Sequence, residues 1–404
     1  MLIKSLSLRN IGPFEKTSIE FSNISSSDKS NVTIITGENG TGKSIILDSI
    51  RSILMGVYEN VERDICRSKD FSIEMKLDIN DMEINLTSKS KNNNNKKLNV
   101  NDYHINSLFR SHIETKYKRN FIFDYWTTKL SNDNFTLNNV ETLRTDNYLD
   151  SSLSGVHKNI DVTKTIAFFD YLQDSKDKAE KELGKFLYKI IERIINNSLS
   201  KGHLSHVSRI DLTPLVKIHG KDISLDKLSS GNLYLITRMI SLVRQIYAIC
   251  ATNGIPIKKY KEIGGVLLID EAENHLHPKW QKLFLKNILD IFPNIQIILT
   301  THSPFIVSSI KDSRIYVCTS LDTHSEIIEE TDFYSNSPIE EILRSPLFNT
   351  NTFNSEISTL IEKRKEYIQK NETEKANNIE KKLLAINPEY FNYLKIDEIL
   401  KNLK

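Results

Sequence analysis

The sequence has few cysteines, no excess of either charge and no apolar run of membrane length. Each shortage excludes something. Three cysteines in 404 residues, Cys66, Cys250 and Cys318, stand far apart. They offer neither a disulfide framework nor a metal-ligand spacing, and read as reduced core thiols of a cytosolic protein. Lys and Arg number 54 against 52 Asp and Glu, a net charge of +2. That balance leaves no chain-wide electrostatic footprint for nucleic acid, although a local basic face stays open. No apolar run approaches the roughly 18 residues a span needs. The alternating, charged opening MLIKSLSLRN is not a signal peptide. A cytoplasmic protein with no membrane partner is expected, long enough for a large core and more than one domain.

What is present alternates between strand and helix patterns. LIKSLSLRNI has the period of a strand, and TSIEF is a second short one. NVTIIT is a β-branched run suited to a buried strand, and it leads directly into GENGTGKS and the helical IILDSIRSIL. FSIEMKLDI and MEINLTS form a hairpin around Asn80-Asp81, and KSKNNNNKK (89–97) is too polar to bury and reads as a disordered tip. Residues 100–160 resist assignment beyond an aromatic patch at Phe121, Phe123, Tyr125 and Trp126. Residues 163–199 read as one or two helices, and VSRIDLTPLVKIHG as strand, turn, strand. GGVLLIDE is an apolar strand ending in two carboxylates, followed by the helix HPKWQKLFLKNILDIF with Pro278 near its first turn. NIQIILTTHSPF and SRIYVCT add two more strands. The alternation predicts an α/β domain with a largely parallel central sheet. After about residue 335 the texture becomes charged and helical. Ile357, Leu360, Ile361 and Ile368 share a face, Ala376, Ile379, Leu383 and Ile386 repeat it, and Pro388 restarts a third segment through Leu394, Ile399, Leu400 and Leu403.

Gly37-Glu38-Asn39-Gly40-Thr41-Gly42-Lys43-Ser44 fits the P-loop (Walker A) pattern, with a strand before it and a helix after. Glycines let the backbone wrap round phosphate with N–H groups inward, and the following helix adds its N-terminal partial charge. Lys43 then reaches the β- and γ-phosphates and Ser44 ligates Mg²⁺. Asp270, at the end of VLLIDE, stands where a metal-binding carboxylate belongs, and Glu271 is suited to orienting or deprotonating the attacking water. His302 follows a strand at its C-terminal end, where α/β ligands bind, and can donate to a γ-phosphate. The pair His275-x-His277 beside Glu273 suggests a metal only weakly, since residues two apart share no helix face; a subunit contact suits the loop better. LSSGN (228–232), just before the apolar run LYLITRMISLVRQIYAI, is on its own an ordinary serine N-cap.

Taken in order, GENGTGKS, LSSGN, LLIDEAENHLHP and TTHSP resemble an ABC-type ATPase head of the RecF, SMC, Rad50 and OLD-like branch. The opening IKSLSLRNIGPFEKTSIEF is similar to that branch as well, so the resemblance covers about residues 1–320. It implies that LSSGN is a signature loop serving a second head. Ser229 and Gly231 of one copy close over the γ-phosphate held by the other. A narrower resemblance, in SPIEEILRSPLF, the charged tail and DEAENHLHPKWQ, is to the Septu anti-phage ATPases and related retron-linked ATPases. There the ATPase acts with an HNH nuclease.

Two features depart from the branch. No glutamine precedes Gln173, so the Q-loop glutamine has no equivalent after the first hairpin. Fewer than 200 residues separate Ser44 from Leu228, too few for a long coiled-coil arm. Arg63 or Arg67 is a candidate for the arginine that SMC-like heads place near the nucleotide.

The expectation is therefore an α/β P-loop ABC-type ATPase head over 1–330, with a mainly parallel sheet, an antiparallel subdomain and a helical insertion at about 100–205. A C-terminal helical appendage follows over 331–404. The resemblance implies ATP and Mg²⁺ as ligands and a homodimer or higher homo-oligomer closed through the ATP site. It also implies a PtuB-like HNH nuclease as partner. A RecF-like DNA-repair ATPase, with DNA as partner, is the alternative. An OLD-type nuclease lacks its strand-borne acidic cluster here, and a transporter subunit fits the HLHP loop poorly.

Overall fold

The computed structural model describes residues 1–22, 30–56, 65–91, 98–109, 117–127, 143, 152–153, 162–199, 201–348 and 354–392. The strands are, in chain order, β1 (Leu2–Ile11), β2 (Phe14–Glu20), β3 (Val32–Gly37), β4 (Ser72–Ile79), β5 (Met82–Lys91), β6 (Leu98–Val100), β7 (Ile122–Trp126), β8 (His203–Val207), β9 (Pro214–Ile218), β10 (Lys221–Ser224), β11 (Gly265–Ile269), β12 (Ile295–Thr300), β13 (Arg314–Ser320) and β14 (Ser325–Glu329). The helices used below are α1 (Lys43–Met55), α2 (Tyr103–Ser107), α3 (Val162–Leu172), α4 (Lys178–Ser198), α5 (Ser230–Asn253), α6 (Pro278–Ile291), α7 (Pro304–Val307), α8 (Ser355–Gln369) and α9 (Thr373–Ile386).

The alternating strands make an antiparallel sheet in the order β2-β1-β4-β5-β6. Asn80 and Asp81 both adopt positive φ, 52° and 63°, the geometry of a tight hairpin turn between β4 and β5. The runs without alternation go elsewhere. β3, β11 and β12 are buried at every residue, as strands covered on both faces must be. They lie in a six-stranded sheet ordered β14-β13-β3-β12-β11-β7, parallel except for β14. The α/β class and the mainly parallel sheet read from the sequence are those observed. The aromatic patch that resisted assignment is β7, paired in parallel with β11 from Ile122↔Gly265 to Trp126↔Ile269. The stretch read as an insertion thus contributes a strand of the central sheet.

Helix α1 lies between the two sheets. Its Ile46, Leu47, Ile50 and Ile53 share one core with Leu6, Leu8, Ile73 and Leu77 of the antiparallel sheet and with Ile35 and Ile298 of the parallel one. Arg51 is buried here, paired to Asp48 at 2.9 Å and stacked 3.9 Å from the Tyr125 ring centre. Helix α5 is tied to β7 by Phe123 N–H, which donates to Gln245 Oε1 at 3.3 Å, and by Ser241 Oγ, which donates to Asp124 Oδ2 at 3.2 Å. By length and composition α5 is apolar enough to cross a bilayer, against the sequence reading. Arg238, Arg244 and Gln245 break up the run in sequence, yet 83% of its apolar window is buried inside the protein, as for a core helix.

The chain divides into two units, Met1–Ile339 and Glu340–Lys404. In the second, α8 and α9 pack through Ile379 and Leu383 against Ile357, Leu360 and Ile361, with Phe391 closing the end. Arg364 joins Glu380 at 2.6 Å across the pair. Of the polar tip read at 89–97, residues 89–91 end β5, against the reading, and 92–97 lie outside the described residues, as do Arg63 and the segment carrying Leu394, Ile399, Leu400 and Leu403.

Candidate active site

The parallel strands bring their C-terminal ends to one edge, and the chemistry-bearing loops collect there. The loop after β3 closes tightly on its surroundings. Gly37 has φ 145°, and a Cβ there would lie 2.2 Å from the Cys318 carbonyl oxygen; Gly42 has φ 98°, and a Cβ would lie 2.5 Å from Pro13 Cγ. Only glycine fits either position. Thr41 Oγ1 donates to the Glu38 carbonyl at 2.9 Å. Gly42 caps α1 without a side-chain acceptor, and the first turn holds no acidic residue. The leading N–H groups of that helix are thus left for an anion. The buried Lys43 ammonium donates to the carbonyls of Gly37 at 3.1 Å and Glu38 at 2.7 Å. Burial lowers its pKa, against the raising effect of Cys318, Glu273, Asp270 and Glu271.

Asp270 directly follows β11, its N–H donating to the Trp126 carbonyl at 2.9 Å. One of its oxygens, Oδ1, accepts from Ser44 Oγ at 2.9 Å and from Thr300 Oγ1 at 2.6 Å. A hydroxyl and a carboxylate in contact form a hard-oxygen pair, the donor set Mg²⁺ prefers. Glu271 sits at φ 48°, a left-handed position that costs a side chain about 1 kcal/mol or more. Two bonds hold it there. Its N–H donates to Thr300 Oγ1 at 2.8 Å, and Asn274 Nδ2 donates to its Oε2 at 2.7 Å.

His302 follows β12 and faces the P-loop. Its pKa lies below the usual imidazole value because of burial, then the Lys43 charge; Glu273, Glu271 and a hydrogen bond to the Gly37 backbone act the other way. A neutral ring at neutral pH can still donate one N–H. Sequence reasoning missed the residues that hold these groups. Thr300 serves both Asp270 and Glu271, and Thr301 Oγ1 donates to Glu273 Oε2 at 2.6 Å. Gln281 Oε1 accepts from Ser303 Oγ at 2.6 Å. The one visible signal was the threonine doublet before His302.

The two loop histidines do not act as a pair. His277 Nδ1 accepts from Lys279 N–H at 3.3 Å as the N-cap of α6, while the His275 ring meets the Tyr234 ring at 5.8 Å. Among the described residues no cluster of His, Cys, Asp or Glu is arranged for a metal ion. Arg67 donates to the carbonyls of Thr323 at 2.9 Å and Pro13 at 3.4 Å. Pro13 itself packs on Gly42.

LSSGN opens α5. Ser229 is the N-cap, its Oγ accepting from Asn232 N–H at 3.4 Å, and Ser229 and Ser230 are exposed. Gly231 has a packing reason of its own, since a Cβ would come within 2.2 Å of the His275 carbonyl oxygen. The start of α5 therefore rests on the loop that follows Glu271. One turn further along, Tyr234 Oη and Arg238 donate to the Thr127 carbonyl, at 3.3 and 3.4 Å, where β7 ends beside Asp270. No glutamine stands at that strand end; the residues are Trp126 and Thr127.

Residues 32–308 match the family described as "AAA domain, putative AbiEii toxin, Type IV TA system". The chain belongs to that family. Among curated relatives of this AAA protein, "Retron Vc95 probable ATPase" of Vibrio cholerae serotype O1 biovar El Tor is 25% identical over 88% of this chain and 82% of its own length. "Septu protein PtuA" of Bacillus thuringiensis is 25% identical over 76% and 74%. The resemblance to Septu and retron-linked ATPases drawn from the motifs is thus borne out. Among solved structures, an SMC head domain from Thermotoga maritima matches 81% of this AAA chain and 99% of its own at 16% identity, with a TM-score of 0.45.

Proposed function

We propose that this AAA-family protein is the ATPase subunit of an anti-phage defence system. Mg²⁺-ATP is held between two copies arranged head to tail, and its hydrolysis controls a partner nuclease of the HNH type. One observation carries the reading. Lys43, Ser44, Asp270, Glu271 and His302 converge on one edge of the sheet, while Ser229 and Ser230 stand exposed at the start of a helix whose first turn holds no acidic residue. The relatives named for retron and Septu systems support the defence setting.

The geometry supports the following roles. The backbone from Gly37 to Gly42, with Glu38, Asn39, Gly40 and Thr41 between, wraps the phosphates, and Lys43 exchanges its two carbonyl acceptors for phosphate oxygens. Ser44 and Asp270 would hold Mg²⁺, which neutralises charge on the phosphates when bound. Glu271 is fixed by Thr300 and Asn274 with one carboxylate oxygen left to orient the attacking water. His302 donates to the γ-phosphate as charge grows on it. Ser229 and the N–H groups around Gly231 close the site from the second copy.

Glu271→Gln is the direct test. It keeps the size of the side chain and removes the base. Calorimetry should give ATP binding within about twofold of wild type, with kcat lower by about 10²-fold or more. Light scattering should find ATP-dependent dimers accumulating. A variant that turns over ATP at the normal rate, or stays monomeric with ATP bound, rejects the reading.

A further inference from the structure

We propose that Glu273 is a positioning residue for His302, holding the turn that presents the imidazole through both oxygens of its carboxylate. The inference rests on the reading of His302 given above and adds a residue to it.

In Asp270-Glu271-Ala272-Glu273 the first carboxylate accepts from Ser44 and Thr300, and the second from Asn274. The chain then turns, with Ala272 N–H donating to the Thr300 carbonyl at 3.0 Å, and this returns Glu273 to the end of β12. There its Oε2 accepts from Thr301 Oγ1 at 2.6 Å and its Oε1 from the His302 N–H at 2.7 Å. These are among the shortest side-chain contacts around the site, as charge-assisted bonds are. The N–H of His302 is just past the strand, where no ladder partner takes it, so the carboxylate supplies the acceptor.

The neighbouring bonds leave the turn little freedom. Thr301, fully buried, donates its N–H to the Ile35 carbonyl at 3.1 Å and accepts on Oγ1 from Ser303 N–H at 2.9 Å. Ser303 is in turn held by Gln281. Backbone on both sides of His302 is therefore fixed to β3, to α6 and to Glu273. Remove the carboxylate and two donors lose their acceptor, one of them the backbone of His302 itself. A buried donor left without its acceptor is costly enough to let the turn rearrange.

The charge has a second consequence. Among the described residues no lysine or arginine makes an ion pair with Glu273. Its partners are a hydroxyl and an amide, and a glutamine in its place keeps one acceptor oxygen for the His302 N–H. The charge acts on the imidazole, raising its affinity for a proton against burial and Lys43, and acts in the same direction on Lys43 itself.

A double-variant cycle separates a positioning role from general support of the fold. Glu273→Ala should lower kcat by about tenfold or more while the ATP dissociation constant stays within about twofold. His302→Ala should do the same, and the double variant should be no slower than His302→Ala alone. Glu273→Gln, which keeps an acceptor for the His302 N–H, should restore most of kcat. An additive double variant over an impaired His302→Ala, or a wild-type kcat in Glu273→Ala, overturns the proposal and leaves the reading of His302 intact. A wild-type kcat in His302→Ala sinks that reading, and the proposal with it. If Glu273→Ala does not fold, Thr301→Val, close in shape and lacking only the hydroxyl, replaces it in the cycle under the same criteria.

Discussion

A single hydroxyl, that of Thr300, serves both Asp270 and Glu271. It donates to Asp270 Oδ1 and accepts from the Glu271 N–H that holds the left-handed turn. Thr300→Val keeps the branched shape and removes both bonds. Steady-state assays should find kcat lower by about 10- to 100-fold with ATP affinity nearly unchanged, since Lys43 and the P-loop amides are untouched. Asp124 gives a second test at this scale. Fully buried, it has its pKa raised to about 7 by burial, against the lowering effect of Arg238, Trp126, Ser241 and the Tyr125 N–H. The folded state keeps a proton that the unfolded chain loses near pH 4, so this group's contribution to stability falls as pH rises from about 4 to 7. The Met1 amine, lowered to about 6 by burial, has the opposite slope between about pH 6 and 8. Comparison with Asp124→Asn isolates the carboxyl. The melting temperature of that variant relative to wild type should climb between about pH 4.5 and 7.5, and a flat difference contradicts the assignment. At the residue scale the glycines, Lys43, the Asp270-Glu271 pair and His302 were legible because spacing and strand context mark them. Thr300, Thr301 and Glu273 were not. A threonine at a strand end or a glutamate in a loop has many ordinary uses, and only the turn after β11 brings these side chains together.

Among the elements, legibility followed hydrophobic period. β1, β2, β4 and β5 alternate because one face of their sheet is wet, and β3 and β12 stand out as β-branched runs. β7 was hidden. It is buried at all its residues and carries Asp124 in its middle, so it has neither alternation nor an unbroken apolar run. α5 misled in the other direction. Its buried arginines mask a run that is apolar enough for a membrane, and the fold uses it as a core helix instead. The way α5 begins reads on its own as a serine cap, and only the resemblance makes it a signature loop. That Gly231 is required by the carbonyl of His275 follows from packing between segments far apart in sequence.

For the whole molecule, the reading makes each head half of two sites. Lys43→Ala removes the phosphate lysine, and Ser229→Arg blocks the exposed lip without touching the P-loop. Each variant alone should be inactive. When they are mixed in equal amounts, about half of the pairs hold one site with a wild-type P-loop and a wild-type lip. ATPase activity should then reappear, at no more than about a quarter of the wild-type rate because the second site of each such pair is dead. Silence in the mixture means that the lip serves its own P-loop. The seat of Gly231 on the His275 carbonyl has an implication for timing. On the proposed reading, the loop from Glu271 to His277 lies beneath the lip that a head lends to its neighbour and also carries the carboxylate assigned to that head's own nucleotide. On the same reading a shift of this loop at one phosphate is felt at the other, and the two halves do not keep separate clocks. Turnover plotted against ATP concentration should be sigmoidal.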